Sequence, residues 1–147
     1  MRYLVDTNVI LRFVNRRDPL HTTMRVAVRK LRQDGHQLCI APQNCVEFWN
    51  VATRPTTQNG YGLSTSEADT ALRLIERLFP LLPEQPTVYA EWRKLVVQFS
   101  VSGVQVHDAR LVATMLSHSI NHMITANTDD FTRYTSIGIV AVHPTHV

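Results

Sequence analysis

Cysteine is scarce in this chain, and its scarcity excludes one class of protein. The 147 residues include only Cys39 and Cys45, too few for the disulfide framework of a small secreted domain. The pair also lacks the ligand spacing of a zinc site. We therefore predict two reduced, buried thiols, as expected of a cytoplasmic protein.

Long apolar runs are missing as well. The apolar stretch at the start is interrupted by Asp6 and Arg12, so it fits neither a signal peptide nor a membrane span. Hydrophobic residues nevertheless make up 44% of the chain and charged residues 18%, which is typical of a globular domain. We predict a soluble, cytoplasmic protein with no membrane partner and a single domain over residues 1–147.

Charge of neither sign dominates the composition. Fifteen Lys and Arg oppose twelve Asp and Glu, for a formal net charge of +3. An excess this small permits an anionic partner without requiring one.

Short apolar runs alternate with helical patterns along the sequence. Runs typical of buried parallel strands cover residues 2–5, 37–41, 122–125 and 139–142. Helical spacing and capping signals, including Asp18 and Ser66 as expected caps, predict helices over residues 8–14, 18–35, 42–53, 66–79, 87–99 and 107–117, and a helical turn over 129–134. The alternation predicts an α/β fold with a short, mostly parallel sheet of four or five strands and helices on both faces.

Acidic residues recur after the predicted strands or at the start of the helices that follow. They are Asp6, Glu47, Asp108, Asp129 and Asp130, with Asn127 beside the last pair. Because sites in parallel sheets lie at the carboxyl ends of the strands, these side chains are expected to share one edge. Each also has an ordinary explanation as a helix cap, a solvated side chain or a charge at a helix N-terminus.

Three or four converging carboxylates with no Lys or Arg among them would repel one another. Magnesium or manganese, which prefer oxygen ligands, would relieve that repulsion, whereas zinc prefers His or Cys. A site of this kind suits phosphodiester hydrolysis, in which one metal ion activates a water and another stabilises the leaving oxygen.

Four blocks of the sequence carry a family resemblance: LVDTNV at residues 4–9, PQ followed by EFWN within residues 42–50, HDA at 107–109 and TANTDDF at 125–131. In this order and spacing they resemble the PIN-domain ribonucleases, and most closely the VapC-type toxins of bacterial toxin–antitoxin pairs. The resemblance implies a Mg²⁺-dependent endoribonuclease, with Mn²⁺ as a substitute, that leaves 5′-phosphate and 3′-hydroxyl ends. It also implies a homodimer and a cognate antitoxin that closes the active-site groove.

Carried over position by position, the resemblance assigns roles to three acids. It implies that Asp6 and Asp108 hold the metal, and that Glu47 ligates it directly or through water and orients the nucleophile. Hydrogen-bonding support is expected from a set of polar side chains next to these acids: Thr7, Asn8, Thr125 and Asn127.

The fourth acidic position departs from the family pattern. Where many family members have an acid, this chain has Asn127. Asp130 is our choice for the missing metal ligand, with Asp129 as the alternative.

RNA contacts are expected from cations and from a loop. Arg12, Arg16 and Arg110 lie nearest the predicted site along the chain, and phosphate contacts from them would add affinity but no sequence choice. Arginines at 25, 29 and 32 share one flank of the second predicted helix; a solvated face is the ordinary interpretation and RNA contact the alternative. The loop over residues 54–65 is our candidate for target selection.

Other functions remain as alternatives. A housekeeping PIN nuclease would share the chemistry, and a non-catalytic PIN-like nucleic-acid-binding module is left open by Asn127. A phospho-acceptor domain would need a lysine after a late strand, but Lys30 and Lys94 both fall in predicted helices.

Overall fold

A parallel sheet of four short strands forms the centre of the computed structural model, which describes residues 1–147. The strands are β1 (Arg2–Val5), β2 (Gln37–Cys39), β3 (His122–Ile124) and β4 (Val140–Val142), in the order β2-β1-β3-β4. All three pairings are parallel, so every strand ends at the same edge. The predicted α/β fold is confirmed.

Six α-helices cover the two faces of the sheet. They are α1 (Thr7–Val14), α2 (His21–Gln33), α3 (Pro42–Thr53), α4 (Thr65–Leu78), α5 (Val88–Gln98) and α6 (Val106–Ser117). Side chains of α1–α4, among them Phe48, form one buried cluster together with Phe79. Side chains of α5 and α6, among them Met115, form a second cluster together with Tyr134. Burial of both faces explains why the strands are continuous apolar runs without polar alternation.

Short 3₁₀ turns complete the chain. They cover Thr56–Gln58, Gly103–Gln105, Thr128–Ile137 and Pro144–His146. The turn at Thr128–Ile137 replaces the predicted helical turn and carries Asp130. Its Phe131 is buried in the second cluster, so this ring serves the core.

Two predicted helix starts are wrong. Helix α4 is capped by Ser64, whose hydroxyl accepts from Glu67 N at 3.1 Å while Glu67 Oε1 accepts from Ser64 N at 3.0 Å, a reciprocal capping box. The expected cap was Ser66. Helix α2 begins at His21, because Asp18 Oδ1 accepts from Leu20 N at 2.8 Å and stabilises a turn before the helix.

A fifth strand is present only as a single bridge. Ile40, just after β2, pairs with Leu81 in parallel, through hydrogen bonds from Ile40 N to Pro80 O and from Leu82 N to Ile40 O. Pro80 and Pro83 lack backbone donors and so limit the pairing to this bridge.

Both cysteines are free thiols, but only Cys39 is buried; Cys45 is half-buried, so the prediction of two buried thiols is wrong for Cys45. Burial is the main cause that raises the pKa of each to about 11, which makes them poor nucleophiles. None of the helices combines the length and the apolar character that crossing a bilayer requires.

Candidate active site

A cleft of about 520 Å³ opens at the carboxyl edge of the sheet, between α1, α3 and α6. Four carboxylates line it, from Asp6, Glu47, Asp108 and Asp130, and no Lys or Arg does. Asp129 is not among the lining residues. The structure thus gathers the four acids chosen from the sequence around one space.

Asp6 is the most buried of the four, with 6% of its surface exposed. It follows β1 directly and caps α1: Oδ1 accepts from Thr7 N at 2.7 Å, and Oδ2 accepts from Thr125 Oγ1 at 2.7 Å and Asn8 Nδ2 at 2.9 Å. Burial raises the pKa of this carboxyl, the three hydrogen bonds oppose the rise, and the charge of Asp130 adds to it. The cap and the cleft carboxylate are therefore the same group.

A polar network ties the end of β1 to the end of β3. Asn8 Nδ2 lies 3.1 Å from Thr125 Oγ1, and Asn8 Oδ1 accepts from Ala126 N at 2.9 Å. Thr125 Oγ1 also accepts from Asn127 N at 3.1 Å. The predicted supporting residues Asn8 and Thr125 thus contact Asp6 directly, while the Asn127 side chain lines the cleft.

Thr7 is held from α3. Its hydroxyl accepts a hydrogen bond from Asn44 Nδ2 at 3.1 Å, and Asn44 Oδ1 accepts from Ala41 N at 2.8 Å. Asn44 is fully buried, so both contacts satisfy groups that would otherwise be costly. This side chain fixes the start of α3 against the start of α1.

Glu47 projects from the second turn of α3 and is oriented by Gln43 on the same helix. Gln43 Nε2 donates to Glu47 Oε1 at 2.9 Å and to His107 O at 2.7 Å. Burial raises the pKa of Glu47, the Gln43 hydrogen bond lowers it, the charge of Asp6 raises it and that of His107 lowers it. Gln43 therefore joins the helix of Glu47 to the start of α6.

Asp108 lies in the first turn of α6, which follows a 3₁₀ turn and not a strand. Burial, followed by the charges of Asp6, Asp130 and Glu47, raises its pKa to about 7, against the opposing charge of Arg133. The pKa of Asp108 is thus raised by the charges of all three other carboxylates in the cleft.

The donor set of the cleft fits a hard divalent cation. Its ligands would be carboxylate oxygens whose repulsion no Lys or Arg in the lining offsets, and magnesium and manganese prefer such ligands. However, no three His, Cys, Asp or Glu side chains stand close enough to form a ready-made metal-binding group. The four carboxylates line the same cleft but do not converge on one point. This spacing reduces the repulsion between their negative charges.

None of the predicted RNA-contacting arginines lines the cleft. Arg12 pairs with Asp18 at 3.7 Å. Arg110 Nη1 donates to Gln43 Oε1 at 3.2 Å and its Nη2 pairs with Glu84 at 3.0 Å. Arg16 is exposed beyond the C-terminal end of α1, away from the acids.

Three side chains that contact or influence the cleft residues were not predicted from the sequence: Gln43, Asn44 and Arg133. Asn44 stands at the third position of α3, where a capping signal could have pointed to it. Gln43 lies one turn before Glu47, the spacing at which helical side chains meet. Arg133 affects Asp108 only through the tertiary fold, so no local pattern reveals it.

Comparisons with known proteins agree with this architecture. The family model described as PIN domain matches residues 3–136. No curated protein matches the sequence.

Solved structures share the fold over nearly the whole chain. VapBC-1 from nontypeable Haemophilus influenzae has a TM-score of 0.70 at 17% identity, covering 99% of both chains. VapBC2 from Rickettsia felis, bound to a promoter DNA fragment, has a TM-score of 0.69 at 10% identity, covering 97% of this chain and 98% of that one. FitAcB from Neisseria gonorrhoeae has a TM-score of 0.67 at 20% identity, covering 100% of each.

Proposed function

The chain belongs to the PIN-domain family, and on that premise we propose that it is a Mg²⁺-dependent endoribonuclease and the toxin of a toxin–antitoxin pair. The observation that carries the proposal is the cleft lined by four carboxylates and by no Lys or Arg. Such a site attracts divalent cations and repels phosphates until a cation is bound.

Asp6, Glu47, Asp108 and Asp130 would hold the cation. When bound, a divalent cation supplies an activated water and neutralises charge on the phosphate that is cleaved. The protein's own contribution is to orient the ligands: Thr125 and Asn8 hold the Asp6 carboxylate through hydrogen bonds that favour its ionised form, and Gln43 does the same for Glu47.

The toxin role is supported by the resemblance to VapC-type toxins and by the solved neighbours, which are named as VapBC and FitAB assemblies. By analogy, a small antitoxin would close the cleft, and two copies of this chain would form a dimer. An Arg-bearing or acidic antitoxin tail is the expected form: the arginine would neutralise the carboxylates directly.

The proposal is tested by incubating labelled total RNA with the protein and Mg²⁺, Mn²⁺ or EDTA. We expect discrete fragments with either metal and none with EDTA. Asp108→Asn should reduce cleavage by at least about 100-fold, since even groups that only support metal ligands contribute 10- to 100-fold. Asp129→Asn, an exposed acid outside the cleft, is the matched control and should cleave normally. Equal rates for Asp108→Asn and the unaltered protein would refute the proposed chemistry.

A second candidate is a non-catalytic nucleic-acid-binding module. It is favoured by Asn127 in place of an acid and by the lack of a ready-made group of metal ligands. Calorimetric titration with Mn²⁺ separates the two. Binding at millimolar concentrations or tighter that Asp108→Asn weakens supports the nuclease, whereas no binding supports the module.

A further inference from the structure

A second concave surface has the opposite charge to the cleft. Helix α1 contributes to both. The second surface lies along α2, against the end of α1 and the last turns of α4. We call it the arginine groove and define it by its four cations: Arg16, Arg25, Arg29 and Arg32. No carboxylate is among its lining residues.

These four cations are not used in ion pairs. The salt bridges of the structure involve other basic side chains: Arg12, Lys30, Arg73, Lys94 and Arg110. Helix α2 itself has no Asp or Glu from His21 to Gln33. The positive charge of the groove therefore remains available to an external anion.

Two of the guanidinium groups are held in place by aromatic rings. Arg25 lies 5.3 Å from the centre of the Phe13 ring, and Arg32 lies 5.1 Å from that of Phe79. Arg32 also donates to the carbonyl of Leu78. Stacking on a ring leaves the edge of a guanidinium free to donate, and holding it in advance reduces the entropy lost on binding.

Helix α1 connects the groove to the cleft. Thr7, Asn8 and Leu11 line the cleft, while Phe13 and Val14 line the groove. The eight residues of α1 span about 12 Å, a distance that three or four stacked nucleotides cover at about 3.4 Å each. One RNA strand could therefore reach both surfaces.

We infer that the arginine groove binds the phosphate backbone of the RNA substrate several nucleotides away from the bond that is cut. The inference rests on the proposed function and names where its substrate is held. Guanidinium groups match phosphate oxygens in a two-pronged geometry, and the acidic cleft offers the strand no cation of its own. The groove would thus supply affinity, and the cleft would supply the chemistry.

The test measures binding of a fluorescent 20-nucleotide single-stranded RNA in EDTA, which prevents cleavage, over a range of salt concentrations. The test variant is Arg16→Gln with Arg29→Gln, since neither side chain makes an internal hydrogen bond or ion pair. The matched control, Arg93→Gln with Lys94→Gln, removes the same charge from exposed positions on α5, across the sheet. A dinucleotide RNA, which has a single bridging phosphate and is too short to span the about 12 Å between the two surfaces, serves as the second probe.

We expect the test variant to bind the 20-mer on the order of tenfold more weakly at low salt, with the salt slope reduced by about 1.4, or 0.7 for each lost phosphate contact. The control should keep the slope, the dinucleotide should show no difference between the variants, and Arg16→Lys with Arg29→Lys should restore most of the affinity. An equal loss in test and control variants, or no loss at all, would overturn the inference and favour another occupant such as an acidic peptide.

Cleavage of total RNA is scored separately. If the unaltered protein cleaves RNA but the groove variant binds the 20-mer normally, the proposed nuclease is supported and the groove inference is refuted. If the groove variant loses salt slope but the unaltered protein cleaves no RNA, the groove inference is supported and the proposed nuclease is refuted.

Discussion

The acidic cleft and the arginine groove lie at opposite ends of the same helix, α1. The N-terminal half of α1 faces four carboxylates and no cation, and its C-terminal end faces four arginines and no carboxylate. The net charge of +3 conceals this separation. It teaches that overall charge says little about where a protein meets an anion, whereas the local pairing of charges says much.

The two surfaces also differ in what they cost the folded state. In the cleft, burial and mutual repulsion raise the pKa of Asp6, Glu47 and Asp108, so ionising them destabilises the fold when no cation is present. In the groove, the arginines are exposed at the surface and keep most of their hydration. The cleft is therefore where function opposes stability.

Among variants that leave all four carboxylates in place, the largest effect is expected where the cleft depends on a single buried hydroxyl. Thr125→Val keeps the shape of the side chain but removes the donor to Asp6 Oδ2 and the acceptor for Asn127 N. We predict that RNA cleavage falls about 10- to 100-fold, while binding of the 20-mer in EDTA is unchanged.

The matched control for that variant is Thr114→Val. Thr114 is equally buried, but its hydroxyl donates to a carbonyl of its own helix, at Arg110. If both variants lose activity alike, the loss reflects general damage to the core and not the orientation of Asp6.

A smaller effect is expected on stability as the pH changes. Asp108 has a pKa of about 7 in the folded protein and 3.8 as its ordinary value, so the folded state binds the proton more tightly. Stability in EDTA should therefore fall as the pH rises from about 4 to 7. Solvent screening limits the contribution of a half-buried group, and we predict a loss of about 3 °C in Tm, the change that roughly 1 kcal/mol produces in a domain of this size.

Thermal unfolding at pH 5 and pH 8 measures this contribution. Asp108→Asn should flatten the pH dependence, and millimolar Mg²⁺ should restore Tm at pH 8 in the unaltered protein by binding the folded state. Asp129→Asn is again the control. The same pH dependence in Asp108→Asn and in the unaltered protein would contradict the prediction.

Much of the frame that carries the cleft could be predicted from the sequence. The strand at Arg2–Val5 and the helix at Pro42–Thr53 were located to the residue, because apolar runs and a proline at the first helical turn are local signals. The order of strands and helices then brought Asp6, Glu47 and Asp130 to one edge.

Features that depend on distant contacts could not be predicted in this way. Ser64 and Ser66 both stand three residues before an acid, and the pattern alone does not choose between them. The hydrogen bond from Leu63 N to Ala52 O fixes the chain just before Ser64, so α4 starts there. The arginines at 25, 29 and 32 are recognisable from the sequence as one flank of a helix, but the groove itself is not, since Arg16 and the rings of Phe13 and Phe79 come from other parts of the chain.

The smallest effect is expected where Arg110 approaches the cleft. Arg110 reaches Glu47 only through the amide of Gln43, so a neutral group separates the positive and negative charges. Gln43→Met removes that link, and we predict a loss of cleavage of up to about tenfold. Gln98→Met, on the exposed end of α5, should have no effect.

A double-mutant cycle identifies the role of the link. If Arg110 acts on Glu47 through Gln43, then Arg110→Met lowers cleavage in the unaltered background and adds nothing once Gln43→Met is present. If the two losses add, Arg110 acts independently, as a direct phosphate contact would. In that case a cation would act on the substrate at the cleft itself, and the division into an acidic cleft and a basic groove would be incomplete.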